Sequence, residues 1–379
     1  MLKFLPYVLK SLMRHRARTL LTVSGTAVAL FVFAFIGAAQ QGLAEMTRGK
    51  QAERTLVVFQ ANRFCPSTSR LPQDYESTIR KVAGVADVVP MQVYVNNCRA
   101  SLDLVLFHGL PAEKLKTARD LRMILGSADE FRTRTDAALA GDAVARRRGL
   151  VPGQKFTIGE ITVSIVGTFS ASTPAEENVL YTHLEFLQRT KGRNVGEATM
   201  FEVHLTEDAD AGAVCREIDA AFRQDRVVTD TRPKGVFQAS VVGDLMELIG
   251  WANFLGYACV GLVLSLVATT TVMSVQDRVR EHAVLQAIGF TPGRVFALVL
   301  AESVIVTVAG GLLGVGAAMG VLWWAGIAVG TEGVTIALAP SWRLMALGLA
   351  VSLATGVLAG LVPARNASSA EVVTALRAA

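Results

Sequence analysis

Charged residues are scarce in this chain of 379 residues: they make up 18% of it, against about 25% in ordinary soluble domains. Hydrophobic residues make up 51%, and the mean hydropathy is +0.41. The shortage of charge argues against a purely soluble enzyme and against a disordered chain. At roughly 150 residues per domain, the length allows two or three structural units.

Several chemical signatures are also absent. The sequence holds no GxxxxGK[S/T] loop, no HExxH and no GxSxG motif, so it offers no recognisable phosphate-binding loop, zinc-peptidase centre or serine-hydrolase centre. The four cysteines and five histidines show no metal-ligand spacing. We therefore predict no catalytic site, no metal site and no cofactor in this chain.

Charge is missing altogether from four long stretches, residues 19–44, 248–276, 303–331 and 344–364. A helix that spans a membrane needs about 20 mostly apolar residues, and all four stretches are long enough. The alternative, four helices buried in a large soluble protein, is improbable for runs of this length. Their central portions carry no ionisable residue, which argues against an ion-coupled transporter working alone and suggests an external energy source.

The sequence thus predicts an α-helical membrane protein with four transmembrane helices in a one-plus-three order and a large α+β extracytoplasmic domain between helices 1 and 2. Basic residues precede the first span without any acid, which places the N-terminus in the cytoplasm. The predicted segments are a cytoplasmic amphipathic helix (1–18), helix 1 (19–44), the extracytoplasmic domain (45–247), helix 2 (248–276), a cytoplasmic loop (277–294), helix 3 (295–331), a short extracytoplasmic loop (332–343), helix 4 (344–364) and a cytoplasmic tail (365–379). A polar extension of helix 1 is the alternative for the first segment.

The extracytoplasmic domain shows a mixed pattern of strands and helices. Strands are predicted at 55–59, 85–95, 104–110 and 201–205, a hairpin at 155–169, and helices at 74–82, 137–148 and 211–223. The net charge of +5 lies in the membrane and cytoplasmic parts, while the domain is nearly neutral. The basic balance therefore reflects membrane orientation, and no nucleic-acid partner is expected.

Cys65 and Cys98 fall in loop-like segments of this domain, where the compartment permits a disulfide between them. Cys215, in a predicted helix, and Cys259, in a span, are interpreted as packing residues.

Glycines four residues apart occur in the last two spans. Such spacing lets transmembrane helices approach closely, although apolar helices also contain such pairs by chance. The predicted helix-packing residues are Gly310, Gly314, Gly316, Gly320, Gly356 and Gly360.

The loop between the second and third spans contains a predicted short helix at 277–288. Gly289 would end this helix, and Thr291-Pro292 would begin the next. An amphipathic helix between two spans suits the docking of a soluble partner, while a plain surface linker is the alternative.

This loop carries a resemblance to a known family. The stretch RVREHAVLQAIG at 278–289, followed by Glu302 and the GGLLG of 310–314, resembles the signature of FtsX-type permeases of ABC transporters, a family that includes MacB and LolC/LolE. The tail at 363–377 is similar to the family's usual ending. The segment AGDAVARRRGLVPGQKFTI at 140–158 is similar to the MacB-type extracytoplasmic domain.

The resemblance implies a non-catalytic permease subunit that works with a dimer of a cytoplasmic ATPase, which binds ATP and Mg²⁺. It implies that Arg278, Arg280, Glu281 and Gly289 belong to a coupling helix, and that Glu302 supports that helix from the third span. Movement would pass along the helices to the outside domain (mechanotransmission), for export or extraction of an amphipathic or hydrophobic substrate. Since MacB carries a fused ATPase and this chain shows none, a separate ATPase subunit is expected.

The further partners implied are a second permease copy, identical or paralogous, a membrane-fusion protein and membrane lipid, in a bacterial cytoplasmic membrane. Two alternatives remain open at this point. One is an FtsX-like transducer that regulates an extracytoplasmic hydrolase without moving cargo, and the other is a membrane-anchored sensor with no ATPase.

Overall fold

The structure, a computed structural model, describes residues 13–14, 16–48, 54–63, 68–95, 105–190, 195–331 and 334–369. The chain divides into two compact units. The helical unit holds the described residues up to Ala38, together with Leu248–Trp324 and those from Pro340 onwards, and the αβ unit holds Ala39–Glu247 and Ala325–Ala339. Cys65, Cys98 and the predicted N-terminal helix up to residue 12 lie outside the described residues, so those expectations stay predictions.

The described helices are, in chain order, α1 Arg16–Arg48, α2 Tyr75–Ile79, α3 Leu115–Ala118, α4 Ala128–Thr133, α5 Asp142–Arg148, α6 Leu184–Thr190, α7 Ala211–Ala221, α8 Lys234–Val241, α9 Gly243–Asp277, α10 Val279–Ala287, α11 Pro292–Ala325 and α12 Trp342–Ser368. The strands are β1 Thr55–Gln60, β2 Leu71–Pro72, β3 Val85–Val95, β4 Leu106–Leu110, β5 Leu121–Gly126, β6 Ala137–Gly141, β7 Lys155–Ile158, β8 Ile161–Ala171, β9 Val179–His183, β10 Glu197–Ala198, β11 Met200–Leu205, β12 Thr229–Pro233, β13 Ala328–Thr331 and β14 Val334–Ala337.

Four helices among the described residues are long and apolar enough to cross a membrane: Arg16–Glu45 within α1, Met246–Asp277 within α9, α11 and α12. The α+β domain lies between the first and second of them in the chain. The predicted one-plus-three layout and fold class are therefore confirmed.

The αβ unit is built on a mixed sheet with the strand order β12-β1-β11-β3-β4-β9-β6-β8-β5, and β7 pairs with β8. The pairs β4–β9 and β6–β8 are parallel. Strand β1 is buried on both of its faces. Leu56 and Val58, on one face, belong to a core cluster with α2 and α7. Val57 and Phe59, on the other face, belong to a second cluster with Phe237 of α8. A strand buried on both faces needs apolar residues at consecutive positions.

The structure corrects two sequence predictions. Residues 137–148 are not one helix, because Ala137–Gly141 form β6, fully buried between β8 and β9, and only Asp142–Arg148 are helical. Burial inside the sheet overrides the helix preference of alanine here. The third span ends at Ala325 rather than at residue 331, since Gly326 takes a positive φ of 52° and the chain continues into the β13–β14 hairpin. That hairpin occupies much of the predicted extracytoplasmic loop.

In the helical unit, α11 packs against α1, α9 and α12. Leu30 and Ala34 of α1 share a buried cluster with Val315 and Ala318 of α11. Hydroxyl groups join the other pairs: Thr271 and Ser303 lie 3.1 Å apart between α9 and α11, and Ser352 of α12 donates to the Thr307 carbonyl of α11 at 2.6 Å. Interhelical hydrogen bonds of this kind hold apolar helices together where no water competes.

Candidate functional site

The candidate site is the end of the helical unit where α9 turns into α10. Arg278 is the residue between the two helices, and Gly289 ends α10 with a φ of 103° that favours glycine. Pro292 begins α11, as predicted, in a position where a missing N–H costs nothing. The predicted helix at 277–288 is thus present, shortened to Val279–Ala287.

An ion pair joins this turn to the third span. Arg278 Nη1 lies 3.3 Å from Glu302 Oε2, and both side chains are largely buried, at 7% and 14% exposed. Glu302 Oε1 also accepts a hydrogen bond of 3.4 Å from Ser274 of α9. A buried carboxylate is costly unless it is paired, so these contacts stabilise Glu302 near the helix end and fix Arg278 against α11.

Helix α1 contributes to the same end of the unit. Arg18 Nη1 is 2.8 Å from Asp277 Oδ2, and its Nη2 donates to Ser274 Oγ at 3.2 Å. Arg14 lies 3.0 Å from Glu281 Oε1 of α10, but both side chains are exposed, and such a pair stabilises little. The network therefore joins α1, α9, α10 and α11 within one unit.

Of the predicted site residues, the structure pairs Arg278 with Glu302, and it places Glu281 on α10 and Gly289 at the end of α10. The side chain of Arg280 lies outside the described part of the chain. Sequence reasoning missed Arg18, Ser274 and Asp277. Two of them could have been predicted from the sequence, because Arg18 and Asp277 each adjoin the end of an uncharged run. The positive-inside rule places both of these ends on the same side of the membrane.

Apolar side chains are exposed on α10 and at its end. Val284 is 44% exposed and Ile288 at its end is 74% exposed, one helical turn apart. Neighbouring apolar residues on an exposed helix face are typical of a surface that receives a partner.

The predicted packing glycines fall into two groups. A Cβ atom added at Gly310 would lie 2.7 Å from Thr26 of α1, and one at Gly360 would lie 2.9 Å from the Ser303 hydroxyl; Gly314 and Gly356 are equally crowded. At Gly316 and Gly320 no described atom lies within 4 Å of the added Cβ. Packing through these two glycines stays a prediction.

No group of three or more His, Cys, Asp or Glu side chains is arranged to hold a metal ion in the described ranges.

Two family models match this chain. The MacB-like periplasmic core domain matches residues 19–221, and the FtsX-like permease C-terminal model matches residues 253–372. The first covers more than half of the chain, and the second covers α10, α11 and α12.

Curated relatives of this chain include MacB proteins. The macrolide export ATP-binding/permease protein MacB of Rhodospirillum rubrum is 25% identical over 398 aligned positions, which cover 97% of this chain and 59% of that protein. MacB of Bdellovibrio bacteriovorus is 25% identical over 342 positions, covering 81% and 50%. The chain thus spans between half and three fifths of these relatives.

Among solved structures, the periplasmic region of MacB from Actinobacillus actinomycetemcomitans is similar at a TM-score of 0.38 and 10% identity, covering 52% of this chain and 97% of that one. The family assignment rests on the two model matches rather than on this likeness. Because they account for both the α+β domain and the last three helices, the chain belongs to the family of MacB-like, FtsX-like ABC transporter permeases.

Proposed function

We propose that this chain couples ATP hydrolysis by a separate cytoplasmic ATPase to movement of the αβ unit. The coupled movement would export or extract an amphipathic or hydrophobic substrate. The observation that carries this proposal is the geometry of α10, a short helix fixed at its start by the buried Arg278–Glu302 pair and apolar on its exposed side.

The proposal requires that α10 faces the cytoplasm. Tryptophans favour the membrane–water interface, and arginines favour the cytoplasmic side. Exposed tryptophans stand near the start of α9 and α12 (Trp251 and Trp342) and near the end of α11 (Trp323 and Trp324). Arg278, Arg294 and Arg365 stand near the opposite ends of these three helices. This alternation supports cytoplasmic termini, a cytoplasmic α10 and an extracytoplasmic αβ unit in a bacterial inner membrane.

Docking of the ATPase can be tested on the apolar side of α10. We expect Val284→Asp and Ile288→Asp to weaken binding of the ATPase by about tenfold or more, because each places a charge in an apolar interface. The measurement is the amount of ATPase that co-purifies with the full chain from its native membrane. Val151→Asp, at an exposed valine of the αβ unit, is the matched control. Undiminished ATPase recovery with both α10 variants would overturn the docking assignment.

The coupling step has its own test. We expect Arg278→Glu and Glu302→Arg to lower the ATPase activity of the reconstituted complex, and the double exchange to restore part of it, because the pair is buried. Arg54→Glu is the control, since its pair with Glu207 is exposed and belongs to the αβ unit. Equal effects of the buried and exposed substitutions would contradict a specific role for Arg278 and Glu302.

A second permease copy, a membrane-fusion protein and lipid complete the proposed assembly. Substrate class is tested by ATPase stimulation in proteoliposomes that receive a lipopeptide, a macrolide or a lipoprotein. Stimulation by one of them supports transport. Stimulation only by an extracytoplasmic hydrolase would instead support a signal transducer.

A further inference from the structure

A buried carboxylate lies on the central sheet of the αβ unit. Glu202 belongs to β11, between β1 and β3, and its side chain is 3% exposed. Arg119 Nη1 lies 2.6 Å from its Oε2, and Lys234 Nζ lies 3.1 Å from its Oε1. Burial alone would raise the pKa of Glu202, but these two cations hold it well below its usual value. We call Arg119, Glu202 and Lys234 the Glu202 cluster.

The two cations of the cluster have different attachments. Arg119 follows α3, is 1% exposed, and also donates from Nε to the Tyr181 hydroxyl of β9 at 2.9 Å, so it is fixed to the sheet at two strands. Lys234 is the first residue of α8, the helix that precedes α9 in the chain. Its contact with Glu202 therefore joins a helix to the sheet, whereas Arg119 joins the sheet to itself.

Apolar side chains also hold α8 on the sheet, and Phe237 makes the ring contact among them. Phe237 is buried and packs on Phe59 of β1 with ring centroids 5.0 Å apart. The ring contact resists separation but tolerates sliding, while an ion pair to a fixed carboxylate sets a position along the sheet. The chain ties the start of α8 to the sheet at Pro233 of β12, and the Lys234–Glu202 pair adds a second attachment, to β11.

A cavity of about 80 Å³ adjoins the cluster and is also lined by Thr335 of β14. Within the described residues, the Thr335 hydroxyl and both ring nitrogens of His108, which lines the same cavity, have no hydrogen-bond partner. A cavity of this size, with these polar groups among its apolar lining, has room for several water molecules. The hairpin that links α11 to α12 in the chain thus meets the sheet and α8 at one cavity.

Stability alone does not explain a charge pair here. Apolar side chains of similar size usually stabilise a buried position as well or better, and the surrounding Val57, Met200 and Phe237 already form an apolar wall. A buried ion pair does set position, and water that enters the adjoining cavity would solvate its partners if they separated.

We infer that Lys234 is a positioning residue of the coupling mechanism, whose contact with Glu202 holds α8 on the sheet and so carries displacement of α9 into the αβ unit. This inference rests on the proposed function. It assigns the attachment of α8 to β11, beyond the chain link at Pro233 and the packing of Phe237, to one side chain.

The test is hydrogen–deuterium exchange on the full chain in lipid nanodiscs. We expect Lys234→Met to speed exchange of the α8 amides about tenfold, as loss of a charged hydrogen bond predicts, and Lys234→Arg to restore the native rate. Lys155→Met, at an exposed lysine of β7, should change nothing. Because Arg119 still pairs with Glu202 in Lys234→Met, the thermal midpoint of the αβ unit should change little. Native exchange of α8 in Lys234→Met would overturn the inference.

A second arm uses the complex with its ATPase. In the native complex, ATP should alter exchange in both α8 and β11, and in Lys234→Met the change should stop at α8. No ATP effect anywhere in the native αβ unit would refute the proposed coupling itself. An undiminished effect on β11 in Lys234→Met would refute the role of Lys234 and leave the proposed coupling standing.

Discussion

Substitution of alanine for Gly314 tests how tightly α11 packs against α1. A Cβ atom at this position would lie 2.9 Å from the Cα of Ala27 and closer still to the Ala27 carbonyl oxygen. Carbon atoms in ordinary contact stand about 3.5–4.0 Å apart, so the two helices must separate by roughly half an ångström or more. Overpacking of this kind costs about 1–3 kcal/mol.

Gly316, on the same helix, supplies the matched control, because no described atom lies within 4 Å of a Cβ added there. Both substitutions gain the same helix preference of alanine over glycine, up to about 1 kcal/mol, so this gain cancels in the comparison. We therefore expect Gly314→Ala to have a free energy of unfolding about 1–3 kcal/mol below that of Gly316→Ala.

The assay is reversible unfolding of the full chain in mixed detergent micelles, followed by circular dichroism. The difference between the two variants is the measured quantity, because absolute values depend on the detergent. Equal free energies of unfolding for the two variants would refute the close contact between α1 and α11.

Three further predictions concern the αβ unit. Burial lowers the pKa of His108 to about 3, so between pH 6.5 and 3 the unfolded chain binds a proton at this residue that the folded chain does not. The free energy of unfolding should therefore fall by up to about 1.4 kcal/mol per pH unit as the pH drops through this range. Unfolding by denaturant at a series of pH values should show a flatter slope for His108→Gln. Burial raises the pKa of Cys215 to about 11. A thiolate-selective reagent should therefore modify Cys215 roughly a hundredfold more slowly in the folded chain than in the denatured chain. Equal modification rates would contradict the burial of this thiol. A Cys65–Cys98 disulfide should appear as a linked peptide pair in a non-reducing mass map of exported protein, and two free thiols would rule it out.

The sequence predicted those elements whose pattern is local. The strand at 85–95 has the predicted bounds, and the hairpin at 155–169 is present as β7 and β8, extended to Ala171. Uncharged length alone identified all four spanning helices among the described residues. It placed the end of the third one wrongly, because an apolar run does not show where Gly326 turns the chain into a hairpin.

The candidate site was predicted in outline for a different reason. A resemblance in the loop pointed to Arg278 and Glu302, which the structure then places 3.3 Å apart. The partners on α1 could not be read from the same stretch, since Arg18 reaches Asp277 across more than 250 residues of sequence. A pairing between distant segments depends on the packing of the helices, which no local pattern encodes.

The Glu202 cluster shows the limit of local patterns most clearly. In β11, the sequence Met-Phe-Glu-Val-His-Leu alternates apolar and polar residues, which predicts a strand with one solvated face. That face is nevertheless covered, because Lys234 and Phe237 of α8 and Thr335 of the hairpin line the cavity beside it. The covering segments lie next to the second, third and fourth spanning helices in the chain, so no pattern within β11 itself shows that they cover this face. The burial of Glu202 could therefore be found only from the fold, and the cations of Arg119 and Lys234 are what make that burial tolerable.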